Sequence, residues 1–249
     1  MKKKTLFISL IIATILIIAF SMLYKEYFPG PANIVFTKLN PDSVNISFYW
    51  KSNGENIKNI SKLKTVLENQ NNNLIFATNG GMFDKKLNPI GLFVENGQLI
   101  KPLNTKVFKP EENTDIPNFY RQPNGVFYIT NEEKAGICKT TTYPNVLDVK
   151  FATQSGPMLV VDGEINKIFD PNSRNFNIRN GVGILPNNEL IFAISINKVS
   201  FYDFARYFKE QGCSNALFLD GYISKAYMPE LGIEQIDGEL GVLIGITEK

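Results

Sequence analysis

The sequence predicts an α+β domain: a mixed, largely antiparallel, twisted β-sheet with few helices. Three observations carry this. Val44, Ile46, Phe48 and Trp50 alternate with polar residues, the two-residue period of a half-buried strand. Segments 92–100, 158–165 and 184–195 each set turn residues between two apolar runs, around Asn96-Gly97, Asp162-Gly163 and Pro186-Asn187-Asn188, which is hairpin chemistry and therefore antiparallel pairing. Helical periodicity is confined to two stretches after residue 33.

In chain order, residues 6–23 (LFISLIIATILIIAFSML) carry no charge and follow Lys2, Lys3 and Lys4. Their length is near the lower end for a membrane-spanning helix, and the lysine flank keeps the amino terminus in the cytoplasm and the remainder outside. A cleaved signal peptide is the competing reading, since Ala19 and Ser21 suit a processing site. The two prolines and glycine of KEYFPGPA, residues 25–32, forbid a continuing helix. The expected organisation is thus an anchor or signal segment over 1–24, a linker over 25–32 and one globular domain over 33–249.

Within that domain Ile60, Leu63, Val66 and Leu67 fall at helical spacing, and NQNNN ends the helix. The apolar run that follows enters LIFATNGGMFD, residues 74–84, where two consecutive glycines interrupt a strand. Later, Ser200 caps a helix over 201–211 whose face is Phe201, Phe204, Ala205 and Phe208, with Gly212 at its end. The turn GCSN, the run Ala216 to Leu219 and Asp220-Gly221 then repeat the order helix, turn, buried strand, small polar residue plus glycine. The two strand ends are expected to meet at one sheet edge, the place where ligands bind in α/β sheets.

Composition narrows the function. At 249 residues, 44% hydrophobic and 20% charged, the chain is an ordinary globular protein. A net charge of +2 gives no basic field for nucleic acid. The absence of histidine excludes Ser-His-Asp and Cys-His catalysis and histidine-based zinc sites. Two cysteines, Cys138 and Cys213, are too few for a disulfide framework; one bridge in an exported compartment and two buried thiols are both open.

Four segments are candidates for the site: Asn79-Gly80-Gly81; Ser155-Gly156-Pro157, which interrupts a strand in FATQSGPMLVVDG; Arg179 in NFNIRNGVGIL; and Asp220-Gly221. Singly, each has a plain structural reading as a turn, a bend before an edge strand or a solvated arginine. Together, NGGMFD, SGPMLVVDG, RNGVGIL and the helix followed by GCSNALFLDG resemble, in order and spacing, the phosphodiester glycosidase family. That family includes a lysosomal enzyme removing N-acetylglucosamine from a phosphodiester-linked mannose, and many exported bacterial proteins. The resemblance covers roughly residue 73 to the end and implies catalytic roles for Asn79, Arg179 and Asp220. It implies substrate contacts from Gly80, Gly81, Phe83, Asp84, Ser155, Gly156, Pro157, Gly221 and Ser224. Two departures stand out: Met82 intervenes where the family often has an aromatic, and DGYISKAY replaces the common Asp-Gly-Gly-Gly-Ser, so Tyr222 reshapes the pocket floor.

The chemistry is self-consistent. Cleaving a sugar C1–O–phosphate bond expels a phosphomonoester, a far better leaving group than an alcohol, so a cation on the phosphate and one carboxylate suffice. The Arg179 fork matches two phosphate oxygens, and Asp220 serves as general base or nucleophile. The Gly80 and Gly81 amides are expected to face the ligand as binding surface, with Asn79 on a hydroxyl or amide. The expected partners are a glycan or sugar phosphodiester and, through residues 6–23, the membrane; the expected location is extracytoplasmic. No cofactor is required. A divalent cation is left open, because Asp170 and Asn172 in FDPNSRNFN loosely match a calcium loop without its closing Glu. The alternative from another class is a catalytically inert module binding a cell-surface polysaccharide.

Overall fold

The computed structural model describes Thr14 and residues 33–108, 116–143, 147–220 and 223–249. The expected anchor or signal segment and the linker lie, apart from Thr14, outside the described residues. No helix among the described residues is long and apolar enough to cross a membrane.

Turn chemistry fixes the local pairing. Asn96 (φ 51°) and Gly97 (φ 76°) turn Phe93–Glu95 into Gln98–Lys101. Asp162 (φ 53°) and Gly163 (φ 82°) turn Met158–Val161 into Glu164–Ile165. Both central residues lie in the left-handed region, as the turn that matches strand twist requires. The third expected hairpin joins Asn180–Ile184 to Leu190–Ser195.

These units assemble into three large sheets, beside a two-stranded one of Lys51–Ser52 and Glu55–Asn56. The six-stranded sheet runs, in spatial order, Ile34–Leu39, Leu190–Ser195, Asn180–Ile184, Asn215–Phe218, Met158–Val161, Glu164–Ile165. One five-stranded sheet runs Gln98–Lys101, Phe93–Glu95, Val149–Ser155, Gly125–Thr130, Ala135–Lys139. The other runs Ile233–Glu234, Ala226–Met228, Leu74–Asn79, Leu243–Glu248, Val44–Tyr49. Every pairing between these strands is antiparallel, so the sheets of the described residues are more uniform than the mixed arrangement expected.

All three sheets contribute aromatic rings to one core. Phe48 lies 5.3 Å from Phe127, Phe76 lies 4.9 Å from Phe192, and Phe127 lies 5.9 Å from Phe192, centroid to centroid. Each such buried ring contributes about 1.5–3 kcal/mol. Two helices cover outer faces. Helix α1 (Ile60–Glu68) is capped by Asn59, whose Oδ1 accepts from the Lys62 amide at 2.8 Å, and buries Ile60, Leu63 and Leu67. Helix α2 (Phe201–Glu210) is capped by Ser200, whose Oγ accepts from the Asp203 amide at 3.0 Å. It seats Phe204 and Phe208 directly on the six-stranded sheet because the strand beneath carries Gly181 and Gly183. A Cβ on Gly183 would stand 2.6 Å from Phe208 Cδ1.

Candidate active site

The two helix-turn-strand units do bring their polar ends together, but across sheets. Strand Leu74–Asn79 pairs with Leu243–Glu248 and Ala226–Met228, whereas Asn215–Phe218 pairs with Asn180–Ile184 and Met158–Val161. The expectation of one shared sheet edge is therefore corrected: the polar ends meet at a junction of two sheets.

At that junction the Asn79 side chain is fully buried and Asp220 is 4% exposed. Asn79 Nδ2 donates to Asp220 Oδ2 at 3.0 Å and to the Ile223 carbonyl at 2.7 Å, while its Oδ1 accepts from the Lys225 amide at 2.8 Å. Asn180 closes the network: its Nδ2 lies 2.8 Å from Thr78 Oγ1, 3.0 Å from the Asn79 carbonyl and 3.2 Å from Asn79 Oδ1. Thr78 Oγ1 in turn donates to the Lys225 carbonyl at 2.8 Å. Ser224 Oγ sits 3.2 Å from Asn180 Oδ1 and 3.3 Å from the Ile178 carbonyl. A buried network of this kind fixes one rotamer per member, because each lost partner would strand a desolvated polar group. It holds the Asp220 carboxylate in a set direction.

Thr78, Asn180 and the Lys225 backbone carry much of this framework, and none was singled out from sequence. The signal was present for Asn180: it follows Arg179 directly and is a polar residue opening an otherwise apolar strand.

Arg179 immediately precedes the same strand and is 1% exposed. Its guanidinium carbon stands 3.5 Å over the Phe201 ring centroid and 5.5 Å from that of Phe218. Nε donates to the Val199 carbonyl at 3.0 Å and Nη2 to the Asn175 carbonyl at 2.8 Å. The open bidentate fork expected from sequence is thus corrected. Two donors are committed to carbonyls, and the Nη1 side donates to none of the described residues. Burial first, then the positive charge of Arg121, lower the Arg179 pKa to about 9, which leaves it charged at neutral pH.

The glycine pair has a different explanation from the one expected. The Gly80 amide donates to the Val242 carbonyl at 2.8 Å and the Gly81 amide to Thr153 Oγ1 at 3.1 Å, so both are spent inside the protein. A Cβ on Gly81 would collide with Thr153 Oγ1 and stand 2.5 Å from the Gln154 carbonyl oxygen. Gly81 allows one sheet to close onto the next, and Gly80 makes room for Val242 and Ile244 of the neighbouring segment in its own sheet. Ser155 Oγ donates to the Leu219 carbonyl at 2.8 Å, and the Pro157 carbonyl accepts from the Phe218 amide at 3.3 Å, so the 155–157 segment braces the strand leading to Asp220. Gly156 packs with no room for a side chain, its ideal Cβ being 2.6 Å from Asn124 Cβ.

Phe83 and Asp84 stand outside this network. Phe83 packs on Gly241 and bridges to Pro89. Asp84 is exposed and closes its own turn, with Oδ1 accepting from the Lys86 amide at 2.8 Å and the Asn88 amide at 3.0 Å. Its slight burial pushes the carboxyl pKa up, but these hydrogen bonds outweigh that and hold it below the usual range. Gly221 and Tyr222 lie outside the described residues. The cation-loop candidate is likewise a turn: Asp170 Oδ1 accepts from the Asn172 amide at 2.8 Å, and no metal-ligating cluster of acidic or cysteine side chains is present among the described residues. Both cysteines are free, Cys213 being buried and Cys138 half-buried, which decides the question the sequence left open. A separate cavity of about 340 Å³, bordered by Ser47, Tyr49, Glu95 and Lys150, follows the edge strand Val44–Tyr49 and includes none of the expected site residues.

Three antiparallel sheets around one aromatic core, with a buried carboxylate hydrogen-bonded to a carboxamide network at a sheet junction, define a β-rich domain with a preorganised polar centre; the Arg179 guanidinium contacts Val199, Asn175, Phe201 and Phe218 rather than that network. The sequence pattern of the phosphodiester glycosidase family matches residues 72–240, and the chain belongs to that family. It is 37% identical to the uncharacterized protein YigE of Escherichia coli (strain K12) over 192 residues, 76% of this chain and 72% of that protein. The catalytic domain of zebrafish N-acetylglucosamine-1-phosphodiester alpha-N-acetylglucosaminidase, auto-inhibited by its pro-peptide, superposes with a TM-score of 0.59 at 14% identity, over 90% of this chain and 86% of that one. A hypothetical protein from Synechocystis gives 0.52 at 13% identity, over 88% and 59%. At these identities the structural likeness establishes the fold.

Proposed function

We propose that the chain is a glycosidase that hydrolyses the sugar C1–O bond of a sugar phosphodiester in an envelope or extracellular glycan. The observation that carries the reading is the Asp220 carboxylate, oriented by Asn79 at 3.0 Å within the domain of this family. Asp220 is the general base or nucleophile at C1, Asn79 its orienting partner, and Arg179 the cation for the phosphate. Gly80, Gly81 and the 155–157 segment shape the wall by close packing, and Ser224 supports it through Asn180. The uncharged run 6–23 behind three lysines supports a membrane-held, extracytoplasmic domain.

The test is Asp220→Asn, assayed in the full chain on a panel of sugar phosphodiesters. It changes shape little and removes the proton acceptor or nucleophile, so turnover is expected to vanish while binding persists. Unchanged turnover would overturn the assignment. The inert polysaccharide-binding alternative draws on Tyr222 in place of the family's glycine; it predicts glycan binding by the parent chain with no turnover to lose.

A further inference from the structure

The cavity of about 340 Å³ runs along the whole of strand Val44–Tyr49, all six of whose residues border it. That strand is the last of its sheet, so on its free side every second residue turns its N–H and C=O toward the cavity instead of a neighbouring strand. Across from it stand Glu95 and Asn96 of the first hairpin and Lys150 of the strand beside that hairpin. The Gly97 amide donates to the Lys150 carbonyl at 2.8 Å and fixes these three relative to one another. Gln70 and Asn72, which follow helix α1, also border the space.

The charged side chains on this wall are Glu95, Glu133 and Lys150. Glu133 is spent on Lys249, whose Nζ lies 2.7 Å away. Glu95 and Lys150 are both half-buried, and neither makes an ion pair among the described residues, with each other or with any other group. Lys150 Nζ has the Phe151 ring at 5.8 Å and no carboxylate in reach. Burial raises the Glu95 carboxyl pKa, as it must for an acid drawn out of water with no cation to offset the loss. One cavity therefore holds an unmatched carboxyl and an unmatched ammonium.

The chemistry of the wall selects among ligands. An anion would be set against Glu95 and a cation against Lys150, so a ligand of net charge leaves one of them opposed. A zwitterion suits both charges but offers nothing to the carboxamides of Gln70, Asn72 and Asn96. An added peptide strand is opposed by the charged side chains facing the free edge, the usual protection of such an edge. A neutral ligand rich in hydroxyls meets every group, because a hydroxyl donates to the carboxyl, accepts from the ammonium, and does either with a carboxamide or the backbone. The volume is within the range of small-molecule sites.

We propose that this cavity is a carbohydrate-binding site distinct from the Asp220 centre, taking a neutral sugar unit whose hydroxyls are held by Glu95, Lys150 and the carboxamides beside them. Tyr49 borders the cavity and Asn79 belongs to the Asp220 network, and both pair with Leu243, so their backbones stand two strand spacings, or about 10 Å, apart. Successive units of one glycan can reach both places. The binding itself does not depend on turnover at Asp220.

The experiment follows amide NMR shifts of the full chain, kept in solution with a detergent that carries no sugar, as glucose, galactose, mannose and N-acetylglucosamine are added singly up to about 50 mM, where millimolar binding is visible. At least one sugar is expected to shift the Ser47, Asn96 and Lys150 amides saturably. Glu95→Gln and Lys150→Met, each checked for folding by its thermal melt, should weaken that affinity about tenfold, the difference one charge-assisted hydrogen bond makes. Glu95→Asp and Lys150→Ala, which withdraw the charge from reach or remove it, are the second pair and should lose as much. No saturable shift with any of the four sugars would overturn the proposal, as would unchanged affinity in a folded variant at either position. Shifts centred on Asn79 and Leu219 would put the sugar at Asp220 and overturn it too. Glycine shifting the cavity amides when no sugar does would mark a zwitterion site in its place.

Discussion

Replacing Gly81 with alanine tests why two glycines interrupt the strand Leu74–Asn79. The added methyl would overlap Thr153 Oγ1 and stand 2.5 Å from the Gln154 carbonyl oxygen. The second of these is backbone within a paired strand and cannot rotate away. Overpacking of this kind costs about 1–3 kcal/mol, and displacing the Gly81 amide from Thr153 strands a buried donor for about as much again. At about 2–4 °C per kcal/mol for a chain of this size, the expected fall in Tm is about 4–24 °C. Gly80→Ala is the internal control. Its methyl meets Val242 Cγ1 at 2.8 Å, a side chain that can be trimmed. Gly80→Ala with Val242→Ala should therefore be more stable than the two separate losses imply, with a coupling of about 0.5 kcal/mol or more. Gly81→Ala with Thr153→Ala should show no comparable recovery, because the Gln154 carbonyl remains. Circular dichroism melts of the full-length variants measure all of these. A Gly81→Ala melt within about 1 °C of the parent would refute the packing explanation.

Two further outcomes follow from buried groups. Burial pushes the Cys213 thiol up to about 12 and raises that of Cys138, so neither should react quickly with a thiol reagent near neutral pH in the native chain. Both should titrate in denaturant without reductant; a count of none there would show a bridge. Burial also raises the Glu95 carboxyl pKa with no compensating cation. A raised carboxyl costs nothing below its unfolded pKa and progressively destabilises as pH climbs through the folded value. Glu95→Gln should accordingly raise Tm at neutral pH and lose that advantage in acid; equal gains at both would contradict the burial argument.

What could be read from the sequence was mostly local. The hairpins at Asn96-Gly97 and Asp162-Gly163 and the Ser200 cap follow from residues within a few positions of one another, and the structure has them as expected. The assignment of strands to three sheets was not legible, because it depends on pairings such as Leu243 with both Asn79 and Tyr49, far apart in the chain. The same distance hid the cause of the glycine pair, whose constraints come from Val242 and Ile244 at Gly80 and from Thr153 and Gln154 at Gly81. Asn79 and Asp220 were legible as small polar residues ending buried strands, and they are hydrogen-bonded. Asn180 was passed over because a single carboxamide at a strand end looks like any turn residue until its partners are known. For Arg179 the sequence offers a phosphate-binding fork or, taken singly, a solvated surface arginine, and only the folded contacts with Phe201 and Val199 show its side chain buried and partly committed to carbonyls.

The central claim is that the sugar C1–O bond breaks and the phosphate stays with the aglycone. Hydrolysis of a sugar phosphodiester by the full chain in water labelled with heavy oxygen, followed by mass spectrometry of the sugar and phosphorus NMR of the phosphate, reads this directly. The account predicts label at C1 of the released free sugar and an unlabelled phosphomonoester on the aglycone. Label in the phosphate, with sugar phosphate released, would mean P–O cleavage and contradict it.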